Sequence, residues 1–295
     1  MNFTPFSALT NLDNAALDGL FYDVGIMSAE ERAQLASPRK IEGVILEVGP
    51  SAAPSLKLWE SLADCPALPP RYAAITVAGV GSSALGAAAL ARNVADAVGA
   101  PVLAVVSGLG MGDLASEAMG GFFLFGGLNA LRHGFAALDR SLDAMWWMVP
   151  KAARPSFGAF DPGRSFQLSR YSEDVKALTT LLAERVETDL LVGHSKGNLV
   201  ISEALYALRD QHEARFAAIA DRLRVVTFGA RIAMPPEIAT VIDVMGEYDS
   251  FGAFNSRPDI ARDVTVPGAW HHTNTRLAHH VPVTRQLKDV LATLA

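Results

Sequence analysis

Residues 188–208 constrain this chain more than any other stretch. A short apolar run, Leu190, Leu191 and Val192, leads into Gly193-His194-Ser195-Lys196-Gly197, and Leu199, Val200, Ile201, Ala204, Leu205 and Leu208 then recur at helical spacing. A strand that turns into a helix within one G-x-S-x-G segment belongs to a buried sheet with helices packed on it. The serine is pushed out at the apex of the turn, and the flanking glycines give the room that neighbouring Cβ atoms would otherwise take. The backbone N–H groups of Lys196 and Gly197 then open a helix, where they and the local dipole favour negative charge developing beside the serine. The bland alternative is a glycine-bounded serine in an ordinary strand-to-helix turn.

The rest of the chain supplies the sheet this turn needs. Residues 74–78 read as a strand, 84–98 as a small-residue helix and 101–107 as a second strand. Residues 172–186 read as a helix with Ser172 as N-cap, Glu173 and Asp174 in its first turn, and Val175, Leu178, Leu182 and Val186 along one face. After the serine turn, residues 224–228, 240–245 and 263–266 read as strands and 283–294 as a closing helix. This alternation predicts one α/β domain over residues 1–295, a mostly parallel, doubly wound sheet with helices on both faces. Two segments fall outside it. Residues 1–70, with a short helix at 28–35 and a strand at 43–48, form either the antiparallel start of the sheet or a separate flap. Residues 108–170 are too long for an ordinary connection and suggest a cap or lid inserted in the domain.

Composition narrows the function. At 295 residues, 50% hydrophobic and 19% charged, the chain is long enough for a large buried core. A net charge of -6 and a pI near 5.6 argue against a nucleic-acid partner. The mean hydropathy of +0.23 reflects abundant Ala, Val and Leu. Cys65 is the single cysteine, so no intramolecular disulfide forms. Residues 1–14 carry no basic, then apolar, signal pattern. The uncharged stretch 72–91 has the length of a membrane span, but Gly79, Gly81, Ser82 and Ser83 divide it into strand, loop and helix. The expectation is a cytoplasmic protein without a transmembrane segment.

A serine at such a turn is a nucleophile if a base and an orienting acid meet it, and on this kind of fold the chain order is Ser, then Asp or Glu, then His. Asp249 falls where the chain leaves the strand that ends near Gly246, with Glu247 as substitute and Asp243 inside the strand itself. The base belongs in the loop before the last helix, which holds His271, His272, His279 and His280. His272, just past the strand, and His280, directly before the closing helix, rank equally first; His271 is third and His279 last. His194 is read as a packing or substrate-contact residue, because side chains adjacent at the turn diverge.

The second oxyanion donor should come from the loop after an early strand. There the Val80 N–H is the choice, with Gly79 and Gly81 permitting close approach of backbone to substrate. Read instead as a phosphate loop, this turn lacks the G-x-G-x-x-G spacing, and no Lys-Ser/Thr pair follows. The late histidines include no H-x-x-x-H helix and no nearby cysteine, so no metal and no cofactor is expected. Within 108–170, the run 118–131 is charge-free, with Phe122, Phe123, Leu124 and Phe125, and Trp146-Trp147-Met148 follows. It reads either as the lining of an acyl pocket or lipid-facing lid, or as an extra buried helix pair.

Gly193-His194-Ser195-Lys196-Gly197-Asn198, then Val225-Val226-Thr227-Phe228-Gly229-Ala230 and the Asp249 turn, resemble the α/β-hydrolase superfamily. Within it they are similar to the class 3 lipases and related bacterial lipase-like proteins, which commonly show G-H-S-x-G-G and T-F-G-x-P-R. The resemblance covers residues 172–250. It implies an α/β-hydrolase fold, Ser195 as nucleophile, Asp249 as acid, a late histidine as base, and hydrolysis of acylglycerol or phospholipid esters. Asn198 stands where a second glycine is common, and Arg231 where that segment has proline. The expected function is hydrolysis of a carboxylic ester with a hydrophobic acyl chain, through an acyl-enzyme. The partner is a small hydrophobic ester, lipid or polyester, and peripheral lipid contact stays open. A polyester (polyhydroxyalkanoate-type) depolymerase or a thioesterase would use the same residues. A lipid- or granule-binding protein that keeps the fold without catalysis is the alternative of another class.

Overall fold

The computed structural model describes residues 18–36, 42–65, 68–79, 82–107, 172–254, 256–257 and 259–294. Its centre is an eight-stranded sheet: β1 (Ile45–Val48), β2 (Leu56–Trp59), β3 (Ile75–Val77), β4 (Val102–Val105), β5 (Leu190–His194), β6 (Arg224–Phe228), β7 (Thr240–Gly246) and β8 (Val264–Val266), in the order β2-β1-β4-β3-β5-β6-β7-β8. β1 runs antiparallel to both β2 and β4. Every other pairing is parallel, from β4 through β3 and β5 to β8. Of the two expectations for the early part of the chain, residues 45–59 take the antiparallel start of the sheet.

Parallel strands covered on both faces need apolar side chains on both faces, and the strands alternate accordingly. Val102, Ala104, Val192, Val226 and Phe228 turn to one side, where helices α2 (Ala84–Val98) and α7 (Val283–Thr293) pack. Leu103, Val105, Leu191 and Val225 turn to the other, against α3 (Glu173–Thr180), α4 (Lys196–Gln211) and α5 (Glu213–Ala220). A short helix α1 (Ala29–Leu35), closed by a Ser28–Glu31 capping box, adjoins α2. A second, α6 (Ser250–Phe254), follows β7. The α/β class, a mostly parallel sheet and helices on both faces are thus as expected from the sequence. β2, α5 and α6 were not foreseen, each too short to carry a pattern over several turns or pleats.

α2 has the bounds expected for it, because both of its ends are marked. The Ser83 hydroxyl accepts the Leu85 N–H (3.0 Å), and Gly99 ends the helix in the left-handed conformation at φ 69°. Its alanines permit close packing, and buried Arg92 pairs with Glu31 at 2.5 Å. Among the described residues no helix is long and apolar enough to cross a membrane. Within the stretch 72–91, Ile75–Val77 form β3 and α2 begins at Ala84. The segment 108–170, with Phe122 to Phe125, lies outside the described residues.

Candidate active site

Ser195 sits between β5 and α4 with φ 54° and ψ -124°, a left-handed backbone that costs a non-glycine residue roughly 1–3 kcal/mol. The surroundings impose it. A Cβ at Gly193 would overlap the Asn198 Oδ1, and one at Gly197 would overlap the Val77 carbonyl oxygen, so both glycines are required by close packing. The Ser195 N–H donates to the Phe228 carbonyl (2.8 Å), and the Asn198 amide donates to the carbonyls of Phe228 (3.0 Å) and Ala230 (2.9 Å). The turn is thereby tied to the neighbouring strand β6, with the serine side chain aimed into an almost closed site, 4% exposed.

There it meets an imidazole. His271 Nε2 lies 3.1 Å from the Ser195 Oγ, and His271 Nδ1 lies 2.9 and 3.0 Å from the two carboxylate oxygens of Asp249. A carboxylate only accepts, so Nδ1 carries the proton and Nε2 presents its lone pair to the serine hydroxyl. Asp249 follows β7 by three residues and is itself held by the Gly252 N–H (2.6 Å). Both groups are buried, and Phe21 and Phe251 stand edge-on to the His271 ring with centroids at 6.0 and 4.8 Å. A hydroxyl, an acceptor for its proton and a buried anion that orients this acceptor form a chain able to generate a nucleophile.

The histidine in this chain is a correction to the sequence reading. His272 and His280, ranked first, do not reach Ser195. His272 Nε2–H donates to the Ala278 carbonyl (3.0 Å) and its ring lies edge-on to Trp270, while burial pushes its pKa down. His280 Nδ1–H donates to the Leu277 carbonyl (3.0 Å), and His279 Nδ1–H to that of Gly268 (2.7 Å). The reason lies in how the loop is docked. The Thr273 N–H and hydroxyl both donate to the Phe21 carbonyl (2.7 and 2.9 Å), and the Asn274 amide donates to Gly19 (2.6 Å), which turns residue 271 rather than 272 inward.

The remaining candidates sort by their partners. The His194 ring is buried with both nitrogens engaged, Nδ1 by the Tyr22 hydroxyl (3.0 Å) and Nε2 by the His271 carbonyl (2.9 Å), so the substrate contact considered for it is not available. Burial, with the neighbouring His271, pushes its pKa down to about 3. The Gly79 N–H donates to the Tyr22 oxygen (2.6 Å) and is likewise unavailable to an oxyanion. The close approach expected of Gly79 is made instead to the nucleophile, since a Cβ there would come within 2.7 Å of the Ser195 Cβ. Lys196 opens α4, so its N–H is one of the first-turn donors without an intrahelical acceptor. Val80 and Gly81 lie outside the described residues. Glu247 accepts the Gly268 N–H (2.8 Å), and Asp243 accepts the Thr227 hydroxyl between β6 and β7. Among the described residues no group of three or more His, Cys, Asp or Glu is placed to hold a metal ion.

Sequence reasoning missed Tyr22, Phe21 and Phe251, because isolated aromatics carry no periodic signal and two of them come from a segment with no assigned role. No family model, no curated protein and no solved structure matches this chain.

Proposed function

We propose that this chain is a serine hydrolase of the α/β-hydrolase type, cleaving carboxylic ester bonds of a hydrophobic acyl substrate in the cytoplasm. The observation that carries this reading is the Ser195–His271–Asp249 chain, with 3.1 Å from hydroxyl to imidazole and 2.9 Å from imidazole to carboxylate. Its placement supports the same conclusion: the serine follows β5 at a strained turn, the acid follows β7 and the histidine follows β8, in the order Ser, Asp, His. His271 takes the hydroxyl proton as Ser195 attacks the ester carbonyl, and the Asp249 carboxylate stabilises the imidazolium that forms. The Lys196 N–H and the Val80 N–H are the donors proposed for the oxyanion. His271 returns the proton to the leaving alcohol, and water then releases the acyl group by the same route. A hydrophobic acyl chain is favoured by the aromatic rings of Phe21 and Phe251 beside the base, the latter 46% exposed, with Leu20 nearby in sequence at 48%. The lone free Cys65 fits a reducing compartment.

The test is turnover of p-nitrophenyl esters and acyl thioesters of increasing chain length. Ser195→Ala and His271→Ala should each lose at least about a thousandfold in kcat/KM, whereas His272→Ala and His280→Ala stay within about threefold of wild type. Equal inactivity of wild type and Ser195→Ala across the whole series, with no labelling of Ser195 by a fluorophosphonate, would overturn the reading.

A further inference from the structure

Between the nucleophile turn and the base runs a second hydrogen-bond chain that the acyl-transfer steps do not use. The His271 carbonyl can only accept, so His194 Nε2 carries a proton and donates it across 2.9 Å. The ring is neutral, since burial holds its pKa near 3, which leaves a lone pair on Nδ1. The Tyr22 O–H therefore donates to Nδ1 (3.0 Å), and the Tyr22 oxygen accepts the Gly79 N–H (2.6 Å). The chain reads Gly79 N–H to Tyr22, Tyr22 to His194, and His194 to the main chain of His271. Both ring nitrogens and the phenol are used within the protein, and none is left to touch a substrate.

We propose that Tyr22 and His194 are positioning residues: they lock the exit of β3, the nucleophile turn and the backbone of His271 into one unit, which sets the distance between serine and base. This rests on the hydrolase reading above. Two further observations support it. The segment that carries Tyr22 also holds the base loop directly, through Phe21 to Thr273 and Gly19 to Asn274. The β3 exit is pressed on the nucleophile, so a displacement of Gly79 is transmitted to Ser195. The neutrality of His194 matters as well: its ring centroid is 5.0 Å from that of His271, where a second cation would oppose the imidazolium formed in acylation.

Four variants test the relay: Tyr22→Phe, His194→Gln, His194→Asn and the double variant Tyr22→Phe/His194→Asn. Gln reaches far enough to place an amide N–H where His194 Nε2–H stood; Asn does not. Tyr22→Phe and His194→Asn should lower kcat about tenfold or more while KM moves less than about threefold, because misplacing the base costs turnover rather than binding. His194→Gln should keep more of kcat than His194→Asn, and the double variant should be no slower than His194→Asn alone, as expected of members of one chain. A merely structural role would make Gln and Asn equivalent and the losses additive, and either result overturns the proposal. A readout independent of turnover accompanies these: in 1H–15N spectra of the histidine side chains, His194 should show the Nε2–H tautomer, and the His271 Nδ1 proton shared with Asp249 should shift in Tyr22→Phe. If wild type and Ser195→Ala prove equally inactive, the hydrolase reading fails by itself, and the spectra still decide the relay. An unmoved His271 resonance in Tyr22→Phe overturns it.

Discussion

Asn198 lies beneath the turn that carries Ser195, where a second glycine is common in the class 3 lipase pattern. Its amide nitrogen bridges two carbonyls of the β6 exit, Phe228 and Ala230, and the residue is fully buried. The amide therefore does what a glycine cannot: it donates to the Ala230 carbonyl and adds a second donor to the Phe228 carbonyl, which already accepts the Ser195 N–H. Removing it in Asn198→Ala should cost about 1–3 kcal/mol, the range for stranding a buried polar group. Asn198→Asp should cost more, since a carboxylate would face two carbonyl oxygens with nothing to donate. Urea unfolding of the two variants beside wild type checks the order, and an Asp variant as stable as the Ala variant would contradict the bridge. His271 makes the complementary point, because its role depends on its main chain as much as on its ring: the carbonyl is held by His194 while Nε2 faces the serine.

At the level of the element, helix α2 begins at a paired cap. The Ser83 N–H and hydroxyl both donate to the Asp18 carboxyl, at 3.1 and 2.5 Å, and burial raises that carboxyl from 3.8 to about 7 despite these bonds. The folded state therefore holds a proton that the unfolded state releases between about pH 4 and pH 7, and stability falls as pH rises through that window. Asp18→Asn cannot ionise. The melting temperature of Asp18→Asn relative to wild type should climb from about pH 4 to about pH 7 and level off above it; a difference independent of pH would refute the assignment. The same helix shows what the sequence makes legible. Its bounds were readable because Ser83 and Gly99 mark its ends, and β5 with its serine turn was readable because two glycines and an apolar run have few other uses together. Asp249 was readable from its place after a strand. The histidine that meets Ser195 was not, since adjacent histidines in a loop point to opposite sides and only docking on Phe21 and Gly19 selects between them. Tyr22 was not either: its partners are 57 and 172 residues away, and no local pattern announces such a contact.

Over the whole molecule, stability should respond to acid through the site. His194 titrates near 6.5 when unfolded and near 3 when folded, so the unfolded state gains a proton first and stability is lost as pH falls from about 6.5 towards 3. His194→Gln should flatten that limb of the melting-temperature profile, whereas an unchanged slope would show that His194 is not the group responsible. This dependence has the opposite sign to that of Asp18, and the two overlap between about pH 4 and pH 6.5. One contact has a consequence in time as well. Thr273 and Phe21, whose bond turns His271 towards the serine, are 252 residues apart. At the pace of a ribosome this separates their appearance by roughly ten to fifty seconds. Ser195 precedes His271 by 76 residues. For roughly four to fifteen seconds at the end of that interval the growing chain therefore holds the serine without the imidazole that meets it, and a half-made copy lacks the proton acceptor that the proposed chemistry needs.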